Sequence, residues 1–173
     1  FLFHIVFMIV VIGKRSEEKA EFGLVRVKPT HPVMGAVYSL GLFAVVLVLS
    51  FIISLLPEGV RSFLEEGYDY RLTNPAVIPL LFIFCILTGY REELFFRSYL
   101  FTRLSQTGMP VALAVALSVL VFSSLHFNQG WSGLIFAFLS AVYLSWLFIR
   151  ERNLHTIAIA HGLFNFFSLL LSL

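Results

Sequence analysis

Long apolar runs separated by short polar breaks constrain the fold of this chain more than any other feature. Of its 173 residues, 59% are hydrophobic and 13% are charged, whereas soluble domains are about 45–50% apolar. A transmembrane helix needs about 20 mainly apolar residues. The runs that approach this length are 33–56, 76–104, 109–126, 131–149 and 154–173. We therefore predict an all-α fold, a polytopic transmembrane helical bundle of about six to seven helices.

The N-terminal part differs from the rest. The apolar run 1–12 is too short to cross a bilayer, and we interpret it as the remnant of a span. Because the chain begins with Phe1 rather than Met, we expect a truncated N-terminus. We divide the chain into an N-terminal transmembrane region, 1–75, which carries no motif, and a core, 76–173, which carries all of the motifs described below.

Charge is concentrated in the polar breaks. The breaks that we class as basic are 13–32, 103–109 (through Arg103) and 150–153, and the positive-inside rule assigns them to the cytoplasm. We therefore predict a multi-pass protein of a cell membrane, with a bacterial plasma membrane as the expected location. The lipid bilayer is an expected partner, and nucleic acid is not, since no basic patch stands out. A single Cys85 allows no disulfide within the chain.

Four charges lie together inside an apolar region, at Arg91, Glu92, Glu93 and Arg97. A charge near the bilayer centre costs about 2.5–3.5 kcal/mol, so such a cluster indicates function. Glu93 and Arg97 share a helix face and should pair, while Glu92 is turned by about 100°. We predict one structural carboxylate, Glu93, and one reactive carboxylate, Glu92. The alternative is a charged turn at the membrane edge.

The segment that carries this cluster, 76–104, is too long for one helix perpendicular to the membrane. We expect it to be either strongly tilted or broken near Gly89. A broken or re-entrant element at the active site is therefore part of the predicted fold. A second candidate for such an element is 127–131, whose polar residues would suit a wet cavity at membrane depth.

Two further motifs place polar residues on apolar helices. Phe122 and His126 share a face at the end of the third run, and His161 and Asn165 share a face in the last run. Gly162 would permit close approach of two helices. Each motif alone is compatible with a core polar residue or an interhelical hydrogen bond, but three motifs on separate helices favour one common site.

The depths expected for these residues do not all agree. Counted from the cytoplasmic side at 1.5 Å per residue, Glu92 and His126 lie roughly 20 Å deep, but His161 lies only about 10 Å deep. A broken helix at Glu92 or a re-entrant 127–131 segment would close this gap.

Two mechanisms use this set of residues. In the first, Glu92 and His126 activate a water that attacks a peptide carbonyl, and His161 and Asn165 donate hydrogen bonds to the oxyanion. In the second, Glu92, His126 and His161 bind a divalent metal such as zinc. We favour the mechanism without a metal or other cofactor.

The ordered motifs resemble those of a known family of intramembrane proteases, the CAAX protease and bacteriocin-processing (CPBP, or Abi) family. The resemblance covers 76–173, and the residues that carry it are Glu92, Glu93, Arg97, Phe122, His126, His161 and Asn165. It implies a membrane endopeptidase, a hydrolase whose substrate is a peptide or protein in or at the membrane. Members of the family have been interpreted both as metalloproteases and as metal-free enzymes.

The resemblance also implies a role for each motif residue. Glu92 would be the base that activates water, and His126 would assist it. The residues that support the base would be Glu93 and Arg97, and the oxyanion site would consist of His161 and Asn165.

Two other functions use similar residues. A bacteriocin-immunity membrane protein would bind without turnover. A proton-coupled transporter would also bury Glu and His, but it should show inverted repeats, and none is visible in the sequence. The remaining histidines, His4, His31 and His155, lie at segment ends or in loops, and we assign them no function.

Overall fold

The computed structural model describes residues 6, 8, 10, 16–65 and 74–171, and all regular structure in these ranges is helical. The prediction of an all-α chain is therefore confirmed. Seven helices lie within 16–65 and 74–171. Most of the predicted run 1–12 and part of the break after α2 lie outside the described residues. The helices are α1 Ser16–Glu21, α2 Thr30–Ser54, α3 Glu58–Glu65, α4 78–106, α5 Val111–Ser124, α6 Gly130–Glu151 and α7 Leu154–Leu170.

Helix α4 is continuous but changes its winding along its length. It consists of an α-helical segment Ile78–Glu93, a π-helical segment Leu94–Phe101 and an α-helical segment Thr102–Gln106. Of the two alternatives expected for this segment, the break near Gly89 is not found, because Gly89 lies inside the uninterrupted α-helical segment Ile78–Glu93. The change of winding comes immediately after the paired glutamates. Long π-helical segments are rare and are often found at functional sites.

Helix α7 packs along both α2 and α4, and its contact with α4 depends on two glycines. A β-carbon on Gly162 would lie 2.8 Å from the α-carbon of Ile86, and one on Gly89 would overlap the carbonyl oxygen of Ala158. No larger residue fits at either position without moving backbone. The prediction that Gly162 permits close helix approach is confirmed.

The N-terminal end of α7 is buried beneath the segment that connects α1 to α2. The Leu154 amide donates to the carbonyl of Gly23 at 2.9 Å, and Nε2 of His155 lies 2.9 Å from the carbonyl oxygen of Val25. Leu154 is 2% exposed. Helix α7 therefore begins inside the molecule and not at its surface.

Within the part of the chain that the structure describes, two helical stretches are long and apolar enough to cross a membrane. They are α2 and the stretch Phe127–Glu151, which joins a short 3₁₀ turn, Phe127–Gln129, to α6. Helices α5 and α7 are apolar but shorter. Much of the outward surface of α2 is apolar, and its exposed side chains include Val33, Leu40, Leu47 and Phe51. An apolar surface of this kind is typical of a membrane or protein interface.

Candidate active site

Glu93 is fully buried and is bonded to two basic side chains. Its Oε1 accepts a hydrogen bond from Nη1 of Arg97 at 2.9 Å and lies 2.7 Å from Nδ1 of His161. The side chains of Glu93 and Arg97 are 0% and 1% exposed. Arg97 also donates to the carbonyl of Ala141 at 3.4 Å, and its guanidinium stacks 4.5 Å from the Phe122 ring centre. The pairing predicted from the four-residue spacing of Glu93 and Arg97 is confirmed.

Glu92 lies beside Glu93 but faces a different environment. Its side chain is 15% exposed, and its Oε1 accepts a hydrogen bond from Nη2 of Arg91 at 2.9 Å. Its Oε2 lies 3.8 Å from Nε2 of His161, which is too long for a direct hydrogen bond. One oxygen of Glu92 is therefore held by a cation, while the other faces an imidazole across a short gap.

His161 lies between the two carboxylates. Its Nδ1 contacts Glu93 and its Nε2 faces Glu92. The expected 10 Å difference in depth between His161 and Glu92 is therefore wrong. The count assumed that the last helix begins at the level of the cytoplasmic surface, whereas Leu154 and Thr156 are already buried. His161 consequently lies deeper in the molecule than its distance along the sequence from the polar break 150–153 indicates.

His126 follows the end of α5 and is oriented by its own helix. Its Nδ1 lies 3.0 Å from the carbonyl oxygen of Phe122. Because a carbonyl oxygen only accepts, this contact favours the tautomer that carries its proton on Nδ1. The Phe122 ring centre lies 4.6 Å from the His126 ring and 6.1 Å from the His161 ring. Phe122 therefore contacts the two histidines and Arg97, and holds the three motifs together.

A cavity of about 580 Å³ joins the predicted reactive residues, because Glu92, His126, His161 and Asn165 all line it. Its other walls are largely apolar and come from α2, α4, α6 and α7. The apolar residues that line it include Leu42, Val46, Phe84, Phe136, Leu144 and Phe164. An apolar cavity with a few convergent polar groups is typical of a ligand or substrate site.

A second cavity, of about 410 Å³, adjoins the same residues. It shares Glu92, Phe122, His126 and Gln129 with the first cavity. It is otherwise lined by Arg91, Phe95, Phe96, Leu125 and Asn128. Glu92 and His126 therefore face two cavities, which would give an extended ligand two directions in which to leave the site.

The alternative metal site fits this geometry poorly. Zinc holds its nitrogen and oxygen ligands at about 2.0–2.2 Å, so three ligands must converge on one point. Among the residues that the structure describes, no group of three or more His, Cys, Asp or Glu side chains is arranged in this way. His126 does not complete a set with Glu92 and His161, and we derive no step through a metal.

Two features of the site were not predicted from the sequence. One is the pairing of Arg91 with Glu92, since the four-residue spacing pointed only to Arg97. The other is Ser140, which lines the larger cavity from α6. The available signal for Ser140 was its helical spacing from Ala137 and Leu144, which line the same cavity.

The comparisons with known proteins give one match. The family model for "Type II CAAX prenyl endopeptidase Rce1-like" matches residues 74–167, and this range includes every residue predicted for the site. No curated protein and no solved structure matches the chain.

Proposed function

Because the chain belongs to the Rce1-like family of type II CAAX prenyl endopeptidases, which is a protease family, we propose that it is an intramembrane endopeptidase. It hydrolyses a peptide bond of a membrane-associated peptide or protein. The observation that carries this proposal is the convergence of Glu92, His126, His161 and Asn165, from three separate parts of the chain, on one cavity.

In the proposed mechanism, Glu92 is the general base. The 3.8 Å gap between its Oε2 and Nε2 of His161 leaves room for one oxygen atom at about 2.8 Å from each. A water bound at Oε2 gives a proton to Glu92 as it attacks the carbonyl carbon of the substrate. Glu92 then returns that proton to the leaving nitrogen, so that the carboxylate is regenerated when the peptide bond breaks. Nε2 of His126, which lines the same cavity, is a second acceptor for the water.

The proposed oxyanion site consists of His161 and Asn165. Hydrogen bonds that are preorganised towards the developing negative charge are a large source of catalysis in acyl transfer. The donor is the Nε2–H of His161, and Glu93 at Nδ1 holds the imidazole ring in position, as a carboxylate does in catalytic triads. The amide of Asn165 supplies the second donor. Glu93 and Arg97 thus act by orienting His161.

The proposed setting is a membrane that the chain crosses several times, with a bacterial plasma membrane as the expected one. The lengths and compositions of α2 and Phe127–Glu151 support this setting, as does the exposed apolar surface of α2. Since the description of the family names a prenyl endopeptidase, peptides that end in a prenylated cysteine and three further residues are the first substrates to test. Unprenylated peptides of the same sequence test whether the lipid is needed.

The experiment uses the purified chain in lipid nanodiscs, with both peptide sets, and detects products by mass spectrometry. In water enriched in ¹⁸O, hydrolysis adds one heavy oxygen to the new carboxyl group. The wild type and Glu58→Gln, an exposed control on α3, should both cleave, and Glu92→Gln should not. If the wild type cleaves none of the peptides, the proposal is contradicted. Turnover by Glu92→Gln at the wild-type rate contradicts the role of Glu92. A bacteriocin-immunity protein would show no turnover and would tolerate Glu92→Gln.

A chelator tests the metal-free form of the mechanism in the same assay. We expect the rate to be unchanged after incubation with a strong zinc chelator and dialysis. Loss of cleavage that is restored by added zinc would reject this form and favour a metal bound by Glu92, His126 and His161.

A further inference from the structure

Ser140 is a buried polar residue in the wall of the larger cavity. It lies on α6, which faces the helices that carry the catalytic residues, and it is 7% exposed. The other residues of α6 that line the cavity are Phe136, Ala137 and Leu144. Ser140 therefore provides the polar group on a wall of the cavity that is otherwise apolar.

The Ser140 hydroxyl has no hydrogen-bond partner among the residues that the structure describes. Several other buried serines do have one. Ser39 donates to the carbonyl of Ala36 at 2.7 Å, and Ser123 donates to that of Val119 at 2.8 Å. A buried hydroxyl without a partner is destabilising, and the position of Ser140 in the cavity wall suggests that a bound ligand supplies the partner.

We propose that Ser140 is a substrate-positioning residue that hydrogen-bonds the main chain of the bound peptide beside the bond to be cleaved. This inference rests on the proposed function. A peptide offers both an N–H and a C=O at each residue, and a hydroxyl can accept from one or donate to the other. The hydroxyl turns about a single side-chain torsion with three staggered positions, and in this proposal it takes the one that meets the bound peptide. The apolar residues around it then hold the side chains of the substrate.

The proposal predicts opposite effects of Ser140→Ala on substrate binding and on stability. The variant should raise KM for a cleaved peptide about three- to tenfold, the value of one net hydrogen bond, and leave kcat within about twofold. It should unfold at the same temperature as wild type or a higher one, because it removes an unsatisfied buried group. The matched control, Ser39→Ala, should leave KM unchanged and should not raise the unfolding temperature.

Peptides with one amide replaced by an ester identify the partner of the hydroxyl. Each peptide bond that flanks the cleaved one is replaced in turn. At one position, the ester should lower the kcat/KM of the wild type by the same factor as Ser140→Ala does. At that position, the ester should not lower the kcat/KM of the Ser140→Ala variant any further.

The outcomes separate this inference from the proposed function. An active wild type, an inactive Glu92→Gln variant and a Ser140→Ala variant with unchanged KM would overturn the role of Ser140 alone. Equal ester penalties in wild type and variant at every position would overturn it as well. A wild type that cleaves no peptide would overturn both.

Discussion

Helix α4 carries one glutamate on its buried face and another on the face that borders the cavity. The two carboxylates lie in different environments. On the buried face, Glu93 is 0% exposed and one of its oxygens contacts both Arg97 and His161. On the cavity face, Glu92 is 15% exposed, is bonded to Arg91 through one oxygen, and faces His161 across a gap through the other. A carboxylate that is enclosed by Arg97 and His161 is held in one position, whereas one that adjoins a cavity can bind water.

Breaking the buried pair should have the largest effect on stability. Arg97→Ala leaves Glu93 buried without its main partner, and we expect the free energy of unfolding to fall by about 3–5 kcal/mol. Thermal unfolding in nanodiscs measures the loss.

The double variant Glu93→Leu with Arg97→Met provides the control for that prediction. An apolar pair of similar volume should recover most of the stability, while activity stays low because His161 has lost its orienting carboxylate. Wild-type stability of Arg97→Ala alone would show that the buried face does not depend on this ion pair.

The contact between α4 and α7 should be the next most sensitive feature. In Gly162→Ala the new methyl group would lie 2.8 Å from backbone at Ile86, so the helices must separate. We expect a loss of about 1–3 kcal/mol in stability and a fall in kcat, since Glu93 and His161 meet across this contact. Gly59→Ala on α3 is the control, because a β-carbon there meets nothing within 4 Å. Full activity of Gly162→Ala would contradict the need for close helix approach.

Breaking the pair on the cavity face should have the smallest effect. The Arg91 side chain is 38% exposed, and exposed ion pairs contribute about 0–1 kcal/mol. Arg91→Ala should therefore destabilise the protein by less than about 1 kcal/mol, as measured beside Arg97→Ala in the same unfolding experiment. If both variants lost the same stability, the distinction between the two faces of α4 would be wrong.

Local helix geometry accounts for the part of the site that was predictable from the sequence. The four-residue spacing of Glu93 and Arg97 is enough to predict their pairing, because it is set by the helix period. The small size of Gly162 similarly predicts a close helix contact. The convergence of three polar motifs follows from the cost of placing each of them in an apolar setting alone.

The remaining features depend on tertiary contacts that no local pattern encodes. The π-helical winding of Leu94–Phe101 has no signature in its apolar sequence. The depth of His161 depends on the connection between α1 and α2, which covers the start of α7 through Gly23 and Val25. Ser140 was not predicted because a single serine on an apolar helix is ordinary until the wall that it faces is known.

The most direct test of the account is the turnover number of Glu92→Gln relative to wild type, measured in the same nanodisc preparation and with unfolding temperature as the check on folding. The account predicts that kcat falls by about 10²–10⁴-fold, the typical contribution of a general base, while the unfolding temperature stays that of wild type. A folded Glu92→Gln variant with a kcat equal to that of wild type would contradict it.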